Sequence, residues 1–261
     1  MSDSPFILRS DAGGATTLTL NRPESRNALS LGMLQALANE LDRAATDPTV
    51  RVVVLKGTGA VFCAGHDLKE MRDARYGRDY VEALFAECTK VMLAILQLPK
   101  PVIAQVHGIA TAAGCQLVAT CDLALAAEDA RFATPGVNVG LFCSTPMVAL
   151  SRNVGRKAAM RMLLTGELID APTAARIGLI NEAVPAAALA HRIATLAAAI
   201  VAKSPLILAI GKEAFYRQAE LSLADAYAYT AGVMAHNLSK RDAQEGIGAF
   251  LGKRIPVWTG Q

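Results

Sequence analysis

The sequence of 261 residues contains no apolar run of the roughly 18 residues that a membrane-crossing helix needs. The Ala/Leu-rich stretch 185–203 comes nearest, and His191, Arg192 and Lys203 interrupt it. Cysteine is scarce and odd in number: Cys63, Cys88, Cys115, Cys121 and Cys143. Such a set does not build a disulfide framework, and it reads as the reduced thiols of a cytoplasmic protein. No Cys-x-x-Cys pair and no His-Glu-x-x-His segment offers metal-ligand spacing. A phosphate-binding Gly-x-x-x-x-Gly-Lys-Ser/Thr loop is missing too, and Gly57-Thr58-Gly59 fails as a dinucleotide turn because Phe62 stands where a third glycine is required. The net charge is only +3. Its basic residues are scattered, so no nucleic-acid stripe forms. The excess suits a phosphate-bearing ligand and equally an ordinary solvated surface. The beginning, Met1 to Phe6, lacks an apolar core, so neither a secretion signal nor a transit peptide is expected.

What is present is apolar. Hydrophobic residues make up 52% and charged ones 19%, ample for a core in one large domain or a domain with an appendage. The N-terminal part alternates short β-branched runs with helical patterns. Phe6-Ile7-Leu8 and Thr16–Leu20 read as paired strands around a Gly13-Gly14 turn. Ser30 reads as the N-cap of a helix over 31–46, with Leu34, Leu37 and Leu41 on one face. Further strands are expected at 51–56, 101–106, 121–126 and 131–133, with a helix over 79–97. The strand-strand-helix rhythm recurs at about 45–50 residues, a period that suggests stacked turns of a superhelix. After residue 145 helices dominate: 146–152, 156–164, 172–177, 186–203, 205–219 and 222–237, with a short buried strand within 178–184. The division expected is a spiral ββα core over 1–200 and a helical C-terminal region over 201–261, together an α/β fold.

Two turns carry the chemistry. Ala64-Gly65-His66-Asp67-Leu68-Lys69 follows Arg51–Leu55, and Ala112-Ala113-Gly114-Cys115-Gln116 follows Pro101–Val106. Each opens into a helix. Side by side, such turns aim two backbone N–H groups at one point, which stabilises the oxyanion developing on a thioester carbonyl during acyl chemistry.

These residues resemble the crotonase superfamily, the enoyl-CoA hydratase/isomerase family. The likeness rests on Asn21-Arg22-Pro23-Glu24-Ser25-Arg26-Asn27-Ala28-Leu29-Ser30, on Phe62 to Met71, on Lys100-Pro101 through Cys121-Asp122, and on Leu164-Thr165-Gly166-Glu167 with Ala175 to Ile180. Together they run in order over nearly the whole chain. Ala112–Gln116, Phe132–Gly140 and the ending Lys253–Trp258 look most like its type-three hydratase domain-containing branch. The resemblance implies a spiral of ββα units whose helical C-terminal region mediates trimerisation, trimers often stacked as hexamers, and an acyl-CoA substrate. Coenzyme A then enters as part of the substrate, with no separate cofactor, no metal, no membrane and no nucleic acid. The oxyanion-hole amides would come from His66 and Ala113. CoA would lie across Arg26, Ala28, Ala64, Gly65, Asp67 and Leu68, beside Gly114, with Lys69 or Arg26 near its phosphates. Phe250 and Lys253, from this chain or a neighbouring subunit, would flank the adenine.

The pattern fails at one place. Hydratases of this family use two glutamates to position water and move protons, and those positions fall here at Gln116 and Gly136. Glutamine hydrogen-bonds water but takes no proton near neutral pH, and glycine offers no side chain. Three substitutes stand nearby. His66 titrates in the right range, although its backbone alone would serve the oxyanion. Cys143 is either a catalytic thiol or a buried small hydrophobe. Ser144 either binds the acyl group or, with Thr145 before Pro146, caps a helix. His107, at a strand end, reads as a structural hydrogen-bonding residue, and His191 and His236 as helix surface. Three functions follow: a hydratase/isomerase with both usual glutamates replaced, a non-catalytic acyl-CoA-binding protein, and a decarboxylase-like enzyme. Decarboxylation makes an enolate without removing a C–H proton, so an oxyanion hole goes far by itself.

Overall fold

Val52-Val53-Val54-Leu55 is buried on both faces, as a central strand of a parallel sheet must be. In the computed structural model, which describes residues 4–261, this run forms the third of nine strands. They are β1 (Ile7–Ala12), β2 (Ala15–Leu20), β3 (Val52–Gly57), β4 (Val102–Val106), β5 (Ile109–Thr111), β6 (Leu123–Ala127), β7 (Arg131–Ala133), β8 (Ile169–Asp170) and β9 (Glu182–Val184). The helices are α1 (Leu31–Thr46), α2 (Leu68–Asp73), α3 (Arg78–Gln97), α4 (Ala113–Thr120), α5 (Ser144–Asn153), α6 (Arg156–Thr165), α7 (Ala171–Ile177), α8 (Ala186–Val201), α9 (Pro205–Gln218), α10 (Leu223–Leu238) and α11 (Arg241–Leu251).

One sheet has the order β1-β2-β3-β4-β6-β9 and a second has the order β5-β7-β8. All pairings after the β1–β2 hairpin run parallel in the larger sheet. The β4-β5-α4 unit gives a strand to each sheet and then a helix, and β6 and β7 repeat the step. This is the expected α/β spiral. Side chains along β3 alternate: Val53 and Leu55 face the larger core with α1 and α4, while Val52 and Val54 join Leu189, Ile193 and Ala197 of α8 on the other face. Helix α1 forms because Ser30 Oγ accepts from Met33 N at 3.1 Å and Met33, Leu34, Leu37, Leu41 and Ala44 make one buried stripe.

Several boundaries differ from the sequence reading. The strand expected within 178–184 is only Glu182–Val184, because Gly178 is the left-handed C-cap of α7. Ser144 does not cap α5; Cys143 holds the N-cap position and Ser144 is the first helical residue. Helix α11 was not foreseen, since Lys240 at its N-cap makes no side-chain capping bond and Gly246 and Gly248 interrupt its pattern. The reading of the first residues as free of a leader rests partly on Met1, Ser2 and Asp3, which lie outside the described residues. Among the described residues no single helix is long and apolar enough to cross a membrane; α8 and α9 are bent by 102° at their junction.

Beyond α8 few large side chains are buried. Phe215, Leu223, Tyr227, Met234, Ile247, Phe250 and Leu251 are exposed along α9 to α11. Helix α9 is nevertheless tied to the sheet by one polar cluster. Lys212 Nζ donates to Asp122 Oδ2 at 2.6 Å and to the carbonyls of Ile95 and Lys100. Tyr216 OH donates to Asp122 Oδ1 at 2.8 Å, and Val102 N, at the start of β4, to Oδ2 at 2.7 Å.

Candidate active site

Three segments are laced together by backbone hydrogen bonds. Leu29 N donates to Gly65 O at 2.8 Å, Asp67 N to Leu29 O at 3.2 Å, and Ala64 N to Arg26 O at 3.1 Å. Cys63 N donates to Ile109 O at 3.1 Å, and Thr111 N returns to Cys63 O at 3.0 Å. Ala112 N then donates to Ala133 O at 2.9 Å. The segments 26–29, 63–67 and 109–113 therefore form one rigid seat.

Two backbone features aim that seat. Gly65 has φ +96° and Ala112 has φ +50° with ψ −119°. Each precedes one of the two amides, His66 N–H and Ala113 N–H. Among the described residues neither amide has a backbone or side-chain acceptor. The turns touch: a β-carbon built on Gly65 would lie 3.3 Å from Ala113 N. Gly114 brings α4 onto the first turn, since a β-carbon there would lie 2.2 Å from Cys63 O. Two unoccupied donors, held by a preformed backbone beside each other, can stabilise an anionic carbonyl oxygen with little reorganisation.

The acid–base question sharpens here. Gln116, one turn into α4, is buried, and its Oε1 has no hydrogen-bond partner. Thr134 Oγ1, just after Ala133, is buried and unpartnered as well. So are both ring nitrogens of His66. Buried polar atoms without partners are rare and costly, about 1–3 kcal/mol each, and these three side chains belong to, or lie within a few residues of, the segments that form the seat. The His66 ring stands edge-on to Phe85, centroids 5.0 Å apart. Burial lowers its pKa, while the nearby Leu29 carbonyl pulls the other way. The imidazole is therefore neutral near pH 7.

Gly136 lies in a short 3-10 helix, Pro135–Val139. Its φ is not left-handed, so packing rather than backbone freedom sets glycine there. An added β-carbon would lie 2.7 Å from Leu141 O and 2.9 Å from Cys143 Sγ. Cys143 Sγ accepts from Gly136 N at 3.3 Å. Burial raises the pKa of this thiol and the Gly136 N–H works against it. Cys143 is buried, and its Sγ packs against the Gly136 backbone. Burial pushes the thiols of Cys63, Cys88 and Cys115 up to about 12, so none offers a thiolate.

The other expected residues divide. Asp67 is buried, caps α2 through Lys69 N at 3.1 Å and Glu70 N at 3.2 Å, and pairs with Arg22 at 3.1 Å. It shapes the first turn rather than offering a free charge. Arg26 and Lys69 are exposed, and no ion pair among the described residues engages them. Leu68 is exposed, Ala28 is buried and Ala64 is half-buried. Ser144 is exposed and its Oγ donates to Phe142 O at 3.4 Å. Phe250 and Lys253 are exposed at the end of α11, which packs on α9 and α10. His107 Nε2 meets Gly59 O at 2.9 Å, the structural role expected of it. The sequence reading gave no weight to the backbone of Ala112 or the hydroxyl of Thr134. For Thr134 a signal existed, because a residue before proline is pushed out of the helical region. For Ala112 there was none, since alanine's own preference is helical.

Comparison with known proteins shows the family. Residues 11–261 match the enoyl-CoA hydratase/isomerase family. The chain is 49% identical over 259 residues to the enoyl-CoA hydratase domain-containing protein 3, mitochondrial, of Xenopus laevis, covering 99% of this chain and 88% of that protein. It is 36% identical to the 2,3-dehydroadipyl-CoA hydratase of Escherichia coli, over 94% of each chain. The crystal structure of an enoyl-CoA hydratase from Mycobacterium smegmatis is 57% identical and superposes with a TM-score of 0.95, covering 98% of this chain and 99% of that one. That of human enoyl-CoA hydratase domain-containing protein 3 is 47% identical, with a TM-score of 0.94 over 97% of this chain and all of that one. The likeness to the type-three branch is therefore borne out. The cytoplasmic expectation is not: the branch relatives from frog, rat, mouse, human and zebrafish are all named mitochondrial. Reduced thiols report a reducing environment and do not tell one such compartment from another, so the cysteine argument carried no address. By fold, by the two apposed turns and by sequence, the chain belongs to the enoyl-CoA hydratase/isomerase, or crotonase, family.

Proposed function

We propose that the protein binds an acyl-CoA thioester with its carbonyl oxygen between the amides of His66 and Ala113. It then stabilises the thioester enolate as a lyase of hydratase/isomerase type with weak hydration. The observation that carries the reading is the pair of acceptor-free amides in a preformed seat, taken with glutamine at 116 and glycine at 136. The first gives a thioester oxygen its partners; the second supplies no carboxylate to remove a proton from water. CoA lies across Arg26, Ala28, Ala64, Asp67 and Leu68, and the unpaired Arg26 and Lys69 meet its phosphates. Phe250 and Lys253 serve the adenine end from a neighbouring subunit. The exposed apolar residues of α9 to α11 support trimerisation through residues 201–261, with a dimer of trimers as the larger form. A solution mass equal to that of one chain would contradict this. No further cofactor is part of the reading.

The absence of a carboxylate at both positions also favours a second reading, an acyl-CoA-binding protein without turnover. Mass-spectrometric turnover against enoyl-, dienoyl- and malonyl-type CoA thioesters separates the two. Slow conversion of enoyl thioesters is expected. Binding without conversion selects the second reading, loss of carbon dioxide from malonyl-type thioesters selects the decarboxylase-like one, and no binding of any thioester overturns all three.

A further inference from the structure

Ala112 holds a backbone conformation that only glycine adopts at ease. At φ +50° and ψ −119° its β-carbon crowds its own backbone, a strain of the kind found at ligand clamps and active sites. The surrounding structure holds it there from both sides. Its N–H donates to Ala133 O at 2.9 Å, and its carbonyl accepts from Gln116 N at 3.0 Å. A turn that required this backbone and nothing else would be better served by glycine. What alanine adds is one methyl group, and the structure shows where it sits. A β-carbon built on Gly65 would lie 2.8 Å from Ala112 Cβ and 3.1 Å from Thr111 O. The methyl of Ala112 is thus seated on the α-carbon of Gly65, the residue whose own left-handed φ of +96° presents the His66 amide. The strained Ala112 thus meets Gly65, and each is followed by one of the two acceptor-free amides.

We propose that Ala112 is a positioning residue, whose methyl locks against Gly65 and so fixes the spacing and aim of the His66 and Ala113 amides. The inference rests on the acyl-CoA reading above and adds to it a side chain that touches no substrate. Glycine at 112 keeps the backbone path, relieves the strain and removes the lock. The amides then sample a range of separations, and the thioester oxygen loses polarisation while the fold persists. Serine at 112 keeps a β-carbon against Gly65 and therefore keeps the lock.

The test is the carbonyl stretch of butyryl-CoA labelled with 13C at the thioester carbon, a saturated thioester that cannot be hydrated, read by isotope-edited infrared difference spectroscopy. In the unsubstituted protein the band moves to lower frequency on binding, as two hydrogen bonds weaken the C=O bond. In Ala112→Gly roughly half or more of that movement is lost, while the thermal midpoint stays level or rises. In Ala112→Ser the full movement remains. A role in folding alone would alter the midpoint and leave the band where it was. Ala112→Gly with an unchanged band overturns the proposal, and so does Ala112→Ser with a band moved as far back as that of the glycine variant. If the unsubstituted protein binds no butyryl-CoA, or binds it with no band shift, the acyl-CoA reading falls and takes this one with it. That failure is visible before any substitution is made.

Discussion

Replacing Gln116 with glutamate is expected to raise crotonyl-CoA hydration by about 10²-fold. The amide sits one helical turn below the Ala113 N–H, is buried, and leaves its Oε1 without a partner. A carboxylate in the same place needs no new space, because the two side chains are nearly identical in shape. Burial without a cationic partner would raise its pKa toward neutrality, where a general base works best. The measurement is the loss of the crotonyl-CoA chromophore under saturating substrate. The same step cannot be taken at Gly136. A β-carbon there meets Leu141 O at 2.7 Å and Cys143 Sγ at 2.9 Å, so adding Gly136→Glu lowers the thermal midpoint of the variant by overpacking. An unsubstituted protein that already hydrates crotonyl-CoA at an ordinary enzymatic rate, about 10 s⁻¹, would contradict the argument. Another group would then be the base, and His66→Ala against Cys143→Ala would decide which. The structure ranks the neutral imidazole of His66 above a thiol that burial keeps protonated.

The second large effect concerns stability. Asp122→Ala is expected to cost about 3–5 kcal/mol in urea unfolding, the usual result of stripping one partner from a buried ion pair. Lys212, whose side chain is only 7% exposed, would keep two carbonyl acceptors and lose its counter-charge. Burial already lowers its pKa, and Asp122 opposes that shift. Tyr216→Phe removes a single hydrogen bond to the same carboxylate, at 2.8 Å, and should cost about 1 kcal/mol. Equal losses for the two variants would mean that the ion pair contributes nothing beyond an ordinary hydrogen bond. The cluster anchors α9, and with it the apolar helices that follow, to the start of β4.

What could be read from the sequence was local. The β-branched run 52–55 specified a central strand, and Ser30 specified a helix start through the hydrogen bond that its Oγ accepts from Met33 N. The two glycine-containing turns pointed to a pair of amides, and the structure places them against each other. What could not be read depends on contacts across space. Gly136 is glycine because of Cys143 and Leu141, and nothing in a single sequence reports that packing. The carboxylate of Asp67 is held by the α2 N-terminus and by Arg22, contacts that its sequence neighbours do not announce. Helix α11 was hidden by its glycines and by the lack of a capping side chain. The strain at Ala112 is a property of the assembled turn and not of alanine.

In a crystal structure of the protein with butyryl-CoA, the thioester oxygen is expected within about 3.2 Å of both His66 N and Ala113 N. A bound thioester whose oxygen lies more than about 4 Å from both nitrogens would contradict it.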